Sequence, residues 1–174
     1  MRRLLVVVSL VLVFAPAAGA WTWPVPGPVL LGFSFDHAHP YAGGQHRGID
    51  VGAASGSSVV APSAGTVTFA GTVPTSGKSV TIETADGYSV TLTHLGSIAV
   101  AKGASVGEGA LVGTVGPSGV PDIASPYVYL GIRVTSDPQG YVDPTQFLPA
   151  PVSPPVETAP PPAPAPAPAA PPAD

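Results

Sequence analysis

Beyond residue 20, no run of ten residues free of glycine and proline sets apolar side chains at helical spacing, so the chain has to build its core from strands. The punctuation is dense, with 21 Gly and 24 Pro in 174 residues. Between these breaks lie short β-branched runs: Ser58 to Val60, Gly65 to Val73, Ser79 to Thr84, Tyr88 to Leu92, Leu111 to Val115 and Tyr127 to Val134. This pattern predicts an all-β domain, a compact twisted antiparallel sheet or sandwich. The clearest hairpin joins Ser79–Thr84 to Tyr88–His94 through Ala85-Asp86-Gly87, with Asp-Gly expected to supply positive φ angles.

Period-two alternation sorts the faces of these strands. In the second hairpin arm Tyr88, Val90, Leu92 and His94 are expected on one side, and Ser89, Thr91 and Thr93 on the other. In the last long strand Val128, Leu130, Ile132 and Val134 form the core stripe, leaving Tyr127, Tyr129, Gly131 and Arg133 opposite.

The two ends read differently from the body, residues 21–148. Residues 1–20 run Met-Arg-Arg, an apolar stretch from Leu4 to Phe14, then small residues to Ala20, which is the pattern of a secretory signal peptide. The apolar run is short for a bilayer span, so no stable membrane insertion is expected once it is cleaved, and the product is expected outside the cell or in its wall. Residues 149–174 hold 12 of the prolines, interleaved with alanine and lacking aromatic residues. At about 3.1 Å per residue such a disordered Pro/Ala-rich tail reaches on the order of 80 Å, a spacer.

Charge and cysteine content narrow the chemistry. Without Arg2 and Arg3 the only cations are Arg47, Lys78, Lys102 and Arg133, scattered and set against ten acids. Nucleic acid is therefore not an expected partner. The absence of Cys removes disulfides, thiolate zinc sites and a cysteine nucleophile. No Gly-x-Ser-x-Gly elbow in a strand-to-helix setting and no phosphate-binding Gly-Lys-Ser/Thr loop occurs.

Four histidines remain: His37, His39, His46 and His94. In His46-Arg47-Gly48-Ile49-Asp50, Ile49 and Val51 can face a core while Asp50 faces away, and Gly48 lets His46 turn beside Asp50. A neutral imidazole and a carboxylate suit zinc.

The segments His46 to Ala53, Val59 to Val67, Thr93-His94-Leu95 and Gly109 to Gly116 resemble, in order and spacing, the lysostaphin-type (LytM-like) zinc endopeptidases of peptidoglycan. Trp23-Pro24-Val25 and Leu130 to Arg133 with Tyr141 to Pro144 resemble that family's borders. The resemblance implies a twisted antiparallel sheet with a groove, zinc as cofactor, and peptidoglycan or its stem peptides as partner. It also implies that His46 and Asp50 are metal ligands and that His94 is a catalytic residue near the attacked bond. The family carries a His-x-His on the last strand, whose second histidine completes the zinc site; here that place reads Tyr127-Val128-Tyr129.

A catalytic zinc takes three protein ligands and one water. With the His-x-His replaced, the metal site is incomplete, and a third ligand would have to come from His37, His39 or Tyr129. Tyr127, Tyr129 and Arg133 then become groove residues able to stack on sugar or peptide. The expected function is a secreted, catalytically degenerate domain that binds peptidoglycan or regulates another cell-wall hydrolase. The alternative is an active zinc endopeptidase with a non-standard third ligand.

Overall fold

The computed structural model describes residues 21–150. The signal-peptide reading of residues 1–20 and the tail reading beyond residue 150 lie outside the described residues. Within them every regular element but one is a strand. The exception is a single 3₁₀ turn at Pro144–Gln146, capped by the Asp143 carboxylate, which accepts from the Thr145 amide at 2.9 Å.

The strands are β1 (Val29–Leu31), β2 (Ile49–Gly52), β3 (Ser58–Val60), β4 (Gly65–Val73), β5 (Gly77–Glu83), β6 (Tyr88–Ile98), β7 (Ser105–Val106), β8 (Leu111–Val115), β9 (Tyr127–Val134) and β10 (Tyr141–Val142). All pairings are antiparallel, and the main path runs β1-β2-β9-β6-β5-β4-β7. The β3–β8 ribbon joins this sheet along the second half of β6. An all-β antiparallel fold is what the turn punctuation requires.

Alternation fixes which face is buried. Ile49 and Val51 of β2, Val128, Leu130 and Ile132 of β9, Val90 and Leu92 of β6, and Val80 and Ile82 of β5 are all fully buried. The β3–β8 ribbon adds Val59, Val112 and Val115 from the other side. Burying each such side chain stabilises the fold by about 1.5–3 kcal/mol. The opposite sheet face carries Asp50, Tyr129, Thr93 and Thr91, and is the open one. Val134, expected in the core stripe, is only half-buried, at the strand end.

Strand β6 changes partners along its length. Tyr88 to Thr93 pair with β9, whereas Leu95 to Ile98 pair with β8. On the β5 side Leu92 faces Val80 and Leu95 faces Lys78, so Thr93 and His94 together oppose the single residue Ser79. This is a β-bulge, and its second residue, His94, has φ of 60°. The extra residue shifts the register. The core position expected for His94 is filled by Leu95, fully buried, while the imidazole is turned out of the apolar stripe.

The Ala85–Gly87 hairpin loop also departs from expectation in detail. Only Gly87 takes a positive φ, 82°, and Asp86 does not. The Thr84 amide bonds to the Tyr88 carbonyl, and the Gly87 amide returns to Thr84. A three-residue loop with one glycine in the left-handed region needs nothing more.

The ends of the described chain meet. The Trp21 amide donates to the Phe147 carbonyl at 2.7 Å, and the Trp21 indole packs on Phe147 and, edge-on, on Tyr88. Trp23 Nε1 donates to the Pro149 carbonyl at 3.0 Å.

Candidate functional site

The open face of the sheet gathers two side-chain clusters where β2, β9 and the bend of β6 come together. Asp50, Tyr129 and Thr93 form one cross-strand row, since Asp50 pairs with Tyr129 and Tyr129 with Thr93. Tyr127, two residues earlier on β9, lies on the same face.

His46 precedes β2 in a two-way backbone bridge with Ser34. Its Nδ1 lies 2.9 Å from the Gly32 carbonyl oxygen, which can only accept, so Nδ1 carries the proton and Nε2 keeps its lone pair. Nε2 sits 3.4 Å from Asp50 Oδ1. That contact is an ion-pair distance that does not complete a hydrogen bond, and both His46 Nε2 and Asp50 Oδ2 are buried without one. Burial pulls the His46 imidazole down, but Asp50 and the Gly32 carbonyl outweigh it and hold its pKa above the ordinary histidine value. Gly48, between His46 and Asp50, does not take a positive φ; its missing side chain makes room for Leu130 O and the Tyr129 ring.

Tyr129 is the cross-strand partner of Asp50 and lies beside His46. Its ring meets the His46 ring edge-on, with centroids 5.4 Å apart. It lies across two glycines: a methyl group at Gly48 would come 2.7 Å from Tyr129 Cε2 and Cζ, and one at Gly131 would come 2.7 Å from the hydroxyl. The hydroxyl is thereby carried along β9 over Gly131. Burial, followed by the neighbouring Tyr141 and Asp50, drives the phenol pKa well above its ordinary value, so the phenolate that a metal requires is disfavoured.

The other nominated donors lie apart. His39 Nδ1 is 2.8 Å from Asp36 Oδ2 on an exposed loop, where the His39 contact holds the Asp36 carboxyl below the usual carboxylate range. The His37 ring packs edge-on against Phe35. Among the described residues no group of three or more His, Cys, Asp or Glu is arranged to hold a metal ion. The donor set present therefore does not fit a closed zinc site.

His94 and Tyr127 make the second cluster. Their rings are tilted against each other, 4.8 Å between centroids. His94 Nδ1 lies 2.9 Å from the Ser118 carbonyl oxygen, which again places the proton on Nδ1 and leaves Nε2 as an acceptor. Tyr127 is buried, and its hydroxyl accepts from the Asp122 amide at 3.0 Å. Burial is the main reason its phenol also stays protonated. These two bonds pin both arms of the loop between β8 and β9. Ser118 adds a third tie, donating to the Leu95 carbonyl at 2.7 Å and accepting from the Lys78 amide at 2.9 Å.

Sequence reasoning passed over Ser118, which lies in a Gly-Pro-Ser-Gly run that reads only as a turn. It also passed over Gly131 as half of the seat for Tyr129. Arg133, nominated for the groove, shares its face by alternation, yet its Nη1 is tied to the turn after β9, donating to the Asp137 carbonyl at 2.8 Å.

Relatives of the chain include the cell division protein DipM of Caulobacter vibrioides, 29% identical over 141 residues that cover 79% of this chain and 22% of that protein. A lipoprotein NlpD/LppB homolog of Pseudomonas aeruginosa is 30% identical over 138 residues, 79% of this chain and 42% of that protein. The chain thus spans less than half the length of either relative. Among solved structures, the catalytic domain of the antimicrobial peptidase lysostaphin from Staphylococcus simulans superposes with a TM-score of 0.57 at 27% identity, covering 71% of this chain and 87% of that one. Residues 44–144, more than half of the chain, match Peptidase family M23, and they contain His46, Asp50, His94, Tyr127 and Tyr129. The chain therefore belongs to Peptidase family M23, a family of zinc peptidases.

Proposed function

We propose that this chain is an exported M23 domain that holds peptidoglycan or its stem peptides without cutting them, and that by doing so it places or regulates a separate cell-wall hydrolase. The observation that carries this reading is Tyr129. It occupies the position paired with Asp50, seats its ring over Gly48 and Gly131 beside the His46 ring, and carries a buried phenol whose proton is hard to remove. A hydrolytic zinc needs a third ligand and a positioned water, and the tyrosine supplies neither. The relatives support an envelope setting, since one carries a lipoprotein name and the other a cell-division name. In this reading residues 1–20 direct export and are removed, and residues 149–174 act as a spacer.

A second reading rests on His46 Nε2 and Asp50 Oδ2, neighbouring polar atoms that are buried without a hydrogen-bond partner. In it a third donor from His37, His39 or Tyr129 moves in and the chain is an active endopeptidase. Zinc content of the purified chain after removal of loosely held metal, beside a His46→Ala control, separates the two. The non-cutting reading expects no retained zinc and co-sedimentation with purified cell-wall sacculi. About one zinc per chain, lost in the control, together with chelator-sensitive release of peptide from sacculi, would overturn it.

A further inference from the structure

We propose that the cavity beneath the loop joining β8 to β9 is a recognition site for a secondary amide bearing a methyl group, with His94 Nε2 accepting the amide proton. This deepens the reading above and rests on it for the source of the ligand. The cavity measures about 290 Å³, at the small end of ligand pockets, so it takes one group of a larger molecule rather than the whole. Its walls include His94, Tyr127, Pro117, Ile123, Ala124 and Ser125.

Three observations point to that chemistry. The tautomer of His94 is set by the Ser118 carbonyl, so the ring offers the cavity an acceptor and not a donor. Among the described residues Nε2 makes no hydrogen bond, although the residue is only 8% exposed. The remaining wall is largely apolar and free of formal charge, built from Pro117, Ile123 and Ala124 with the Tyr127 ring, which suits a methyl group and rejects a carboxylate or an ammonium. The backbone supports a binding role as well. His94 holds φ of 60°, a conformation uncommon for a non-glycine residue, at a position where its side chain lines the cavity. The loop on the far side is fixed by the Tyr127–Asp122 and Ser118–Leu95 bonds, so the cavity is formed before a ligand arrives.

In peptidoglycan this group has two sources: the acetamido group of the glycan sugars, and the alanyl residues of the stem peptide. NMR of the full chain, observing imidazole ¹⁵N and the Ile123 and Ala124 signals, tests the proposal. The probes are tetra-N-acetylchitotetraose, its fully de-N-acetylated form, and acetyl-alanyl-alanine methylamide. The expected result is a saturable shift of His94 Nε2 with the first or the third probe and none with the second; which of the two acts identifies the source. Ala124→Trp, which fills the cavity from an exposed loop position, and His94→Asn, which keeps a residue tolerant of positive φ, are each expected to weaken that binding on the order of tenfold. The proposal falls if neither amide probe gives a saturable shift by about 10 mM. It also falls if the de-N-acetylated probe shifts the same signals equally, or if Ala124→Trp binds as the parent does. Sedimentation with sacculi separates this from the functional reading. Parent chain that pellets while both amide probes fail overturns the cavity assignment alone. Parent chain that stays in solution while an amide probe binds supports the cavity and overturns the wall-holding role.

Discussion

Two glycines decide what Tyr129 does. With hydrogen at positions 48 and 131 the phenol ring can lie along the sheet and close the space beside His46 and Asp50; a side chain at either place would push it out. The smaller imidazole at the same position would leave the cradle empty and turn a nitrogen towards the pair. Tyr129→His is accordingly expected to raise retained zinc from none to about one per chain, read by elemental analysis after dialysis. The same burial has a consequence at alkaline pH. The folded-state pKa of Tyr129 lies above that of the unfolded chain, so its contribution to stability is complete below the ordinary phenol value near 10 and is lost as pH rises through the folded value. Thermal melts at pH 9 and at about pH 12 should show a steeper loss for the parent chain than for Tyr129→Phe, with tyrosinate absorbance rising together with unfolding.

At the scale of elements, the site exists because β6 bends. Strand β6 pairs with β9 up to Thr93 and with β8 from Leu95, and the bulge between them turns the imidazole out of the core stripe, whose place Leu95 fills. A β-branched residue is badly matched to φ of 60°, so His94→Val should cost on the order of 1–3 kcal/mol in chemical denaturation. His94→Asn, which tolerates that conformation, should lose only the Ser118 hydrogen bond, about 1 kcal/mol. A bend of this kind is what sequence patterns miss. Strands β4, β8 and β9 were legible to the residue because Pro74 and Gly116 stop the first two runs and Pro126 opens the third, which alternates in sequence. The bulge at Thr93-His94 carries no glycine, and a period of two has no means of announcing an inserted residue. Strands β7 and β10, two residues each, carry too few positions for alternation to register, and the three residues of β1 have no polar alternation between Pro28 and Gly32. His46 and Asp50 were legible because their contact is local, four residues apart. The tie between His94 and Ser118 spans 24 residues of sequence and depends on a loop whose composition says only that it turns.

At the scale of the whole molecule, the domain is closed by its ends. Trp21, Phe147 and Tyr88 form one aromatic group, and Trp23 Nε1 adds a tie to the Pro149 carbonyl. Removing residues 151–174, read as a Pro/Ala-rich spacer, should leave the melting temperature within about 1 °C, because the ties of this closure among the described residues reach Pro149 and all of them are kept. Removing Phe147 as well should lower it by on the order of 10 °C through loss of the aromatic group. Calorimetry of the two truncations distinguishes a spacer from a stabilising arm.

This closure also sets how the domain carries load. The chain enters the domain at residue 21 and leaves it at residue 149 side by side, so tension applied between those two points acts across the Trp21–Phe147 clasp and does not pass through β2, β9 or β6. The clasp would peel one bond at a time, while the sheet that holds His46, Asp50, Tyr129 and His94 stays mechanically slack.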